Sequence, residues 1–339
     1  MKLRMDKLGK PKHDRLPEKL QDTMHKAVRL EWVTIGFVSV TIILVGIVAG
    51  QSQAMRSAWV EDMLSLVPPV AFLIASRIIR IAANRKQPYG YHRAIAIGHQ
   101  AAAMALLIMG GLLVYESISA LIKQEKPPIG VIVLFGHDIW MGWLMITIMA
   151  ITAIPMVILG RMKLRLAKEL HDKLLYADAD MAKADWGTAA ATIVGVLGIG
   201  LGFWWADSIA ALVISVSIVK DGITNIKAAV SGLSDARATR YDNSAFHPLT
   251  YDAEKLARET GWVLQARARI RDQGHIFHTE MFVVPVSDYV PTLEETGHLR
   301  NQIEELDWKL QDTVVAVVEE LDNQQVPPSD ENQAESGTG

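Results

Sequence analysis

The sequence predicts an α-helical membrane protein, with a six-span transmembrane bundle followed by a small cytoplasmic α+β domain. Six stretches of about twenty residues or more are dominated by apolar side chains, each long enough to cross ~30 Å of hydrocarbon. Lys and Arg crowd the alternate connections between them, as the orientation rule for short loops requires. Beyond Gly232 the hydropathy falls, and strict alternation and helical spacing replace continuous apolar runs. The chain of 339 residues is 50% hydrophobic and 21% charged, too apolar for a purely soluble protein and too charged for one lying wholly in lipid. Lys+Arg 34 against Asp+Glu 37 leaves a net charge of -3, so nucleic acid is not expected as a partner. With Cys 0 there are no disulfides, thiolate metal sites or cysteine nucleophiles.

Residues 1–30 are basic and polar, without the short apolar core and cleavage site of a signal peptide, and read as a cytoplasmic segment. The transmembrane domain is expected over 31–233. Its first span runs from Trp32 to Gly50, the second from Ala54 to Ile81 and the third from Ala94 to Ile122. The fourth runs from Ile139 to Leu159, the fifth from Tyr176 to Phe203 and the sixth from Ala206 to Ala229. Arg77, Arg80, Arg85, Lys86 and Arg93 follow span two, and Arg161, Lys163, Arg165, Lys168 and Lys173 follow span four. The other loops are poor in basic residues, so both termini are expected in the cytoplasm of a multi-pass protein of the inner or plasma membrane.

The cytoplasmic domain is expected over 234–321. A short helix around Asp252 to Glu259 comes first. Leu264, Ala266, Ala268 and Ile270 then alternate with Gln265, Arg267, Arg269 and Arg271, the period of a half-buried strand. Asp272-Gln273-Gly274 makes a turn into a second strand, Ile276 to Val284. Leu293, Thr296, Leu299, Ile303, Leu306 and Leu310 mark an amphipathic helix started at Pro291-Thr292, and Thr313 to Val318 is a third strand. The polar tail 322–339 is expected to be disordered.

Ionisable groups in a span are costly, about 2.5–3.5 kcal/mol each at mid-depth on insertion scales, and therefore mark function. Span five opens with YADADMAKADWGT. At 100° per residue Asp178, Met181 and Asp185 share one face, while Asp180 and Lys183 form a local pair near the surface. Span two brings Glu61 and Asp62, with Ser65 on the same side as either, and Pro68-Pro69 should kink or open that helix and free carbonyl oxygens. Carboxylates from two facing helices with hydroxyl and carbonyl oxygens suit a hard divalent cation. The candidate metal residues are Glu61, Asp62, Asp178 and Asp185. His99 and Glu116 in span three are candidate proton carriers.

These segments together resemble the cation diffusion facilitator family of metal/proton antiporters. ADADMAKAD lies without gaps on the family's ADALHSLSD, WWADSIAAL on WWADPIAAL, QPYGYHRA on HPYGYGRAE and VYESI on YEAI, over about Arg29 to Leu321. The resemblance implies six spans, an αββαβ ferredoxin- or metallochaperone-like cytoplasmic domain, and a homodimer joined through it. It places the family's HxxxD ligands at Met181 and Asp185, and the two ligands of span two at Leu64 and Pro68. The acid stands at Asp185 and a thioether, more often core packing than a ligand, replaces the imidazole at Met181, so the usual tetrahedral zinc site is not rebuilt. The family's further zinc positions fall mostly on Asn84, Gln87, Tyr91, Trp262, Met281, Gly297 and Val317, while the nearby His275, His278 and His298 read as solvated.

The expected function is efflux of a divalent cation of the Mn, Fe or Zn type, as substrate and not as cofactor, against protons. The alternative is a non-transporting scaffold or partner subunit on the same fold. No nucleophile with a base, and no phosphate-cradling loop, points to an enzyme.

Overall fold

The computed structural model describes residues 17–49, 62–81, 83–125, 131–134 and 137–321. Glu61, residues 54–60 of the second span, residues 1–16 and the tail from Asp322 lie outside them. Among the described residues, six helices in the first part of the chain follow the apolar stretches: α1 (Glu18–Ala49), α2 (Val67–Ile78), α3 (Ala94–Ile122), α4 (Met141–Leu170), α5 (Lys173–Gly200) and α6 (Ala206–Leu233). Among the described residues, α3, residues Met145–Leu170 of α4, and α6 are long and apolar enough to cross a membrane. The fourth span was expected from Ile139, but its helix begins at Met141, because β1 (Val131–Leu134) and β2 (His137–Trp140) pair as an antiparallel hairpin just before it. The fifth starts earlier than Tyr176. Asp172 caps α5, its carboxylate accepting from the Leu175 N–H at 2.9 Å, which draws the helix start back to Lys173.

The prolines of span two act as the sequence implies. Residues 62–64 are helical, Ser65 and Leu66 form a turn, and α2 restarts with Pro68 and Pro69 in its first positions, where the missing N–H groups cost nothing. Pro68 offers no N–H to the Leu64 carbonyl four residues back.

Small residues set the close contacts between helices. A Cβ at Gly195 would lie 2.4 Å from Asp207 Oδ1 and 2.5 Å from Asp207 Cα, and one at Gly198 would lie 2.3 Å from Ala206 Cβ, so α5 and α6 meet backbone to backbone beside their connecting turn. Gly195→Val is therefore expected to push the two helices apart and destabilise the bundle by about 1–3 kcal/mol. Gly111→Ala, where nothing lies within 4 Å, should leave thermal unfolding in detergent unchanged or slightly delayed. Equal melting of Gly195→Val and the unaltered protein would remove the close approach as a structural constraint.

The C-terminal part runs α7 (Leu249–Arg258), β3 (Val263–Asp272), β4 (Phe277–Pro285), α8 (Leu293–Leu306), a 3₁₀ turn (Trp308–Leu310) and β5 (Asp312–Val317). Its sheet has the order β3-β4-β5, antiparallel then parallel, the parallel pair being joined over α8. Ala266, Ala268, Ile270, Phe277, Met281 and Val283 form one sheet face, packed on Ala253 and Ala257 of α7 and Leu299 and Ile303 of α8. Leu264, expected on that face, is 56% exposed. A register shift between Val263 and Gln265 admits an extra residue, which turns Val263 inward and Leu264 outward. Leu293 also stays outside the core, at 93% exposure. It sits in the first turn of α8, beside a capping box in which Thr292 Oγ1 accepts from the Glu295 N–H and Glu295 accepts from the Thr292 N–H.

Candidate functional site

Asp185, midway along α5, is, among the described residues, the candidate acid at which spans two and five meet. Ser65 Oγ, in the turn that interrupts span two, donates to Asp185 Oδ1 at 2.7 Å. Asp62, one turn before Ser65, lies near enough for its charge to act on Asp185. Ser65 is buried, while Asp62 and Asp185 are each partly exposed. The Leu64 carbonyl, relieved of its helical donor by Pro68, belongs to the same turn. Ser65 and Asp185 thus bring a hydroxyl and a carboxyl oxygen together across two helices, both hard oxygen donors, with Asp62 one turn away.

The other positions aligned with family ligands carry apolar side chains, among them the Met181 thioether, and pack accordingly. Met181 is 1% exposed, clustered with Ala105, Leu106, Met109, Ala184 and Ile218, with Leu64 and Val67 packed against them. Pro68 is buried. Among the described residues, no group of three or more His, Asp or Glu is arranged to hold a metal.

Asp178 shares a helix face with Asp185 but serves another cluster. Its Oδ2 accepts from Lys163 Nζ of α4 at 2.7 Å, and the same ammonium lies 3.0 Å from Glu31 Oε2 of α1. All three side chains are at most 2% exposed. Sequence reading missed this cluster: it took Lys163 only as a basic residue of the connection after span four and did not single out Glu31. A signal existed: Lys163 and Asp178 stand eight residues before and seven after His171, where α4 turns back into α5, so an antiparallel helical hairpin brings them level.

Asp180 and Lys183 do not pair with each other as expected. Asp180 Oδ2 accepts from Asn225 Nδ2 at 2.8 Å, and Lys183 Nζ reaches Asp221 Oδ2 of α6 at 2.6 Å, because α6 presents both partners to this side of α5. Asn225 Nδ2 also donates to the Asp221 carbonyl, so its Oδ1 faces His99 Nε2, 3.1 Å away. That orientation requires the proton of His99 on Nε2. Glu116, the other candidate carrier, is partly buried.

At the junction with the C-terminal domain the expectation of solvated histidines fails for two of three. His275 is 4% exposed, with Nε2 2.8 Å from Asp172 Oδ2, the same residue that caps α5. His278 Nδ1 lies 2.6 Å from Asp312 Oδ2. His298 is exposed. The sheet approaches the membrane part closely enough to bury these rings, which periodicity along one strand does not reveal. Lys173 adds a 2.9 Å pair to Asp272 and a 2.7 Å hydrogen bond to Thr239.

His171, His247 and Phe277 pack edge to face, with ring centroids 5.0, 5.1 and 5.3 Å apart. Burial holds His171 well below the usual imidazole range and pushes His247 down to about 4. His247 Nδ1 accepts from the Leu249 N–H at 3.3 Å, which needs a bare nitrogen. A base held neutral in the fold but titrating near 6.5 when unfolded contributes stability above that pH and loses it as the pH falls toward 4. Melting of the full chain in detergent should thus drop between pH ~7 and ~5, and His247→Gln should flatten the dependence. An unchanged slope in that variant would reject this origin.

Compared with known proteins, residues 30–234 match the cation efflux transmembrane domain. With the apolar helices, that match makes the chain an integral membrane protein. The manganese efflux system protein MneS of Bacillus subtilis (strain 168) is 24% identical over 255 residues, 75% of this chain and 80% of that protein. The uncharacterized transporter YdbO of the same organism is 25% identical over 276 residues, 79% of this chain and 87% of its own length. The magnetosome protein MamB of Paramagnetospirillum magneticum (strain ATCC 700264 / AMB-1) is 24% identical over 163 residues, 48% of this chain and 51% of that protein.

Proposed function

We propose, since the chain belongs to the cation efflux family, that it exports a divalent cation from the cytoplasm in exchange for protons, with Mn²⁺ the preferred ion. The observation that supports this reading best is the Ser65–Asp185 bond at the break in span two, with Asp62 beside it. A carboxylate pair supplemented by hydroxyl and carbonyl oxygens, and with no imidazole or thiolate, favours Mn²⁺ or Fe²⁺ over Zn²⁺. Manganese is also the ion in the name of one relative. Asp62 and Asp185 hold the ion, and Glu61, next in the chain, is the further acid to test. Asp178 is left out of the set because Lys163 already occupies it.

Six spans, both termini in the cytoplasm and a homodimer joined through the C-terminal domain complete the reading. The inward-facing site takes up the ion and releases protons; in the outward-facing state protons displace it. Asp172 bonds both the start of α5 and His275, so the C-terminal domain grips the helix that bears Asp185.

A second reading, a non-transporting scaffold or partner subunit, is favoured by the apolar side chains at Leu64, Pro68 and Met181. Competition uptake of Mn²⁺, Fe²⁺, Co²⁺ and Zn²⁺ into vesicles holding the purified full chain separates the two. Saturable uptake led by Mn²⁺ is the expected result. No uptake of any ion, together with no calorimetric binding of Mn²⁺, would replace transport by the scaffold reading.

A further inference from the structure

The transport reading gives the Glu31–Lys163–Asp178 cluster no task, yet its composition is unbalanced. Two carboxyl groups and one ammonium are enclosed together where three helices meet. Lys163 binds them unequally: Asp178 Oδ2 has a 2.7 Å hydrogen bond, Glu31 Oε2 a 3.0 Å ion contact, and Glu31 Oε1 is buried with no hydrogen-bond partner at all. One ammonium neutralises one carboxylate. The second, at 0% exposure, is left as a bare charge unless something positive joins it. Among the described residues, the charges that act on Glu31 and Lys163 are those of the cluster itself. Glu31 is the acid α1 brings to the cluster and Lys163 the base from α4. From α5 comes Asp178, with Asp185 further along; α2, which packs on α1 and α5, has Arg77 in its last turn as its one charged residue.

We propose that Glu31 and Asp178 together hold one exchangeable proton beside the Lys163 ammonium, as a proton-binding site separate from the cation site at Asp185. The step is a simple protonation: a Glu31 carboxylate oxygen takes a proton from a hydronium ion, one O–H bond forming on the carboxyl as one breaks on the hydronium, which leaves as water, and no oxidation state changes. Protonation turns the ion contact between α1 and α4 into a neutral one. It also alters the charge that acts on Asp185, which lies within electrostatic reach of both Lys163 and Asp178. A proton here therefore disfavours a cation at Asp185, and a cation there disfavours the proton, by the reciprocity of coupled binding. The assignment of this proton to exchange rests on the transport reading above; its presence does not.

The test is pH-difference infrared spectroscopy on the full chain in lipid, without metal. The unaltered protein should show a titrating C=O stretch of a protonated carboxyl. Glu31→Gln and Asp178→Asn should each lose it, since either leaves one acid balanced by one ammonium, while Asp185→Asn should retain it. If one variant does not fold, the other decides. No such band in the unaltered protein, or its survival in a folded Glu31→Gln or Asp178→Asn, overturns the proposal. In parallel, the acceleration of Mn²⁺ uptake by an imposed pH gradient should vanish in Glu31→Gln. A band that behaves as described in a protein that moves no Mn²⁺ would keep the proton site and sink the transport reading instead.

Discussion

Asp185→Asn is expected to reduce Mn²⁺ uptake into vesicles by more than about a hundredfold, beyond the 10–100-fold typical of losing a residue that only orients a metal ligand. The asparagine carbonyl still accepts from Ser65 Oγ, so the bond joining α5 to the turn in span two survives and the melting temperature should scarcely move. What disappears is the anionic oxygen. Ser65→Ala tests the orienting bond alone. It keeps the carboxylate but frees it to rotate, and should cost about 10–100-fold in apparent affinity with the maximal rate less affected. Uptake by Asp185→Asn within tenfold of the unaltered protein would show that the ion is held elsewhere. Glu61→Gln, made alongside, measures what the neighbouring acid adds.

The parts of the fold that were legible in the sequence are those whose causes are local. Span three was read to the residue as Ala94–Ile122 because Arg93 and Lys123 bound a run dominated by apolar residues. Pro68 and Pro69 announced the break in span two, since a missing N–H acts on its own helix. Alternation gave β3, and the turn at Asp272-Gln273-Gly274 led into β4. The readings that failed depend on what approaches from elsewhere. A bulge at Val263 and Gln265 turned Leu264 outward, and α6 drew Asp180 and Lys183 onto separate partners. The junction buried His275 and His278. The candidate site divides in the same way. Asp185 was identified because an acid so deep in an apolar helix demands a reason. Glu31 and Lys163 were passed over because acids and bases at span ends are ordinary when exposed, and only tertiary packing encloses them.

Lys163→Met should destabilise the protein more than any other single change to that cluster, by about 3–5 kcal/mol. The methionine fills much of the same volume, so the loss is electrostatic: Glu31 and Asp178, each at most 2% exposed, are left without a counter-charge. Glu31→Gln should cost less than about 1 kcal/mol, because one carboxylate and one ammonium remain in balance. The triple variant Lys163→Met, Glu31→Gln, Asp178→Asn should recover most of the stability lost by Lys163→Met, since neutral replacements remove the desolvation cost along with the attraction. Lys163→Arg should not restore the original, because a planar guanidinium cannot occupy the enclosed site of a compact ammonium without displacing α1 or α5. Thermal unfolding in detergent reads the whole series. The decisive comparison is Lys163→Met against the triple variant: equal stability of the two would mean that lost packing governs this cluster and that its charges are not what holds α1 to the α4–α5 hairpin.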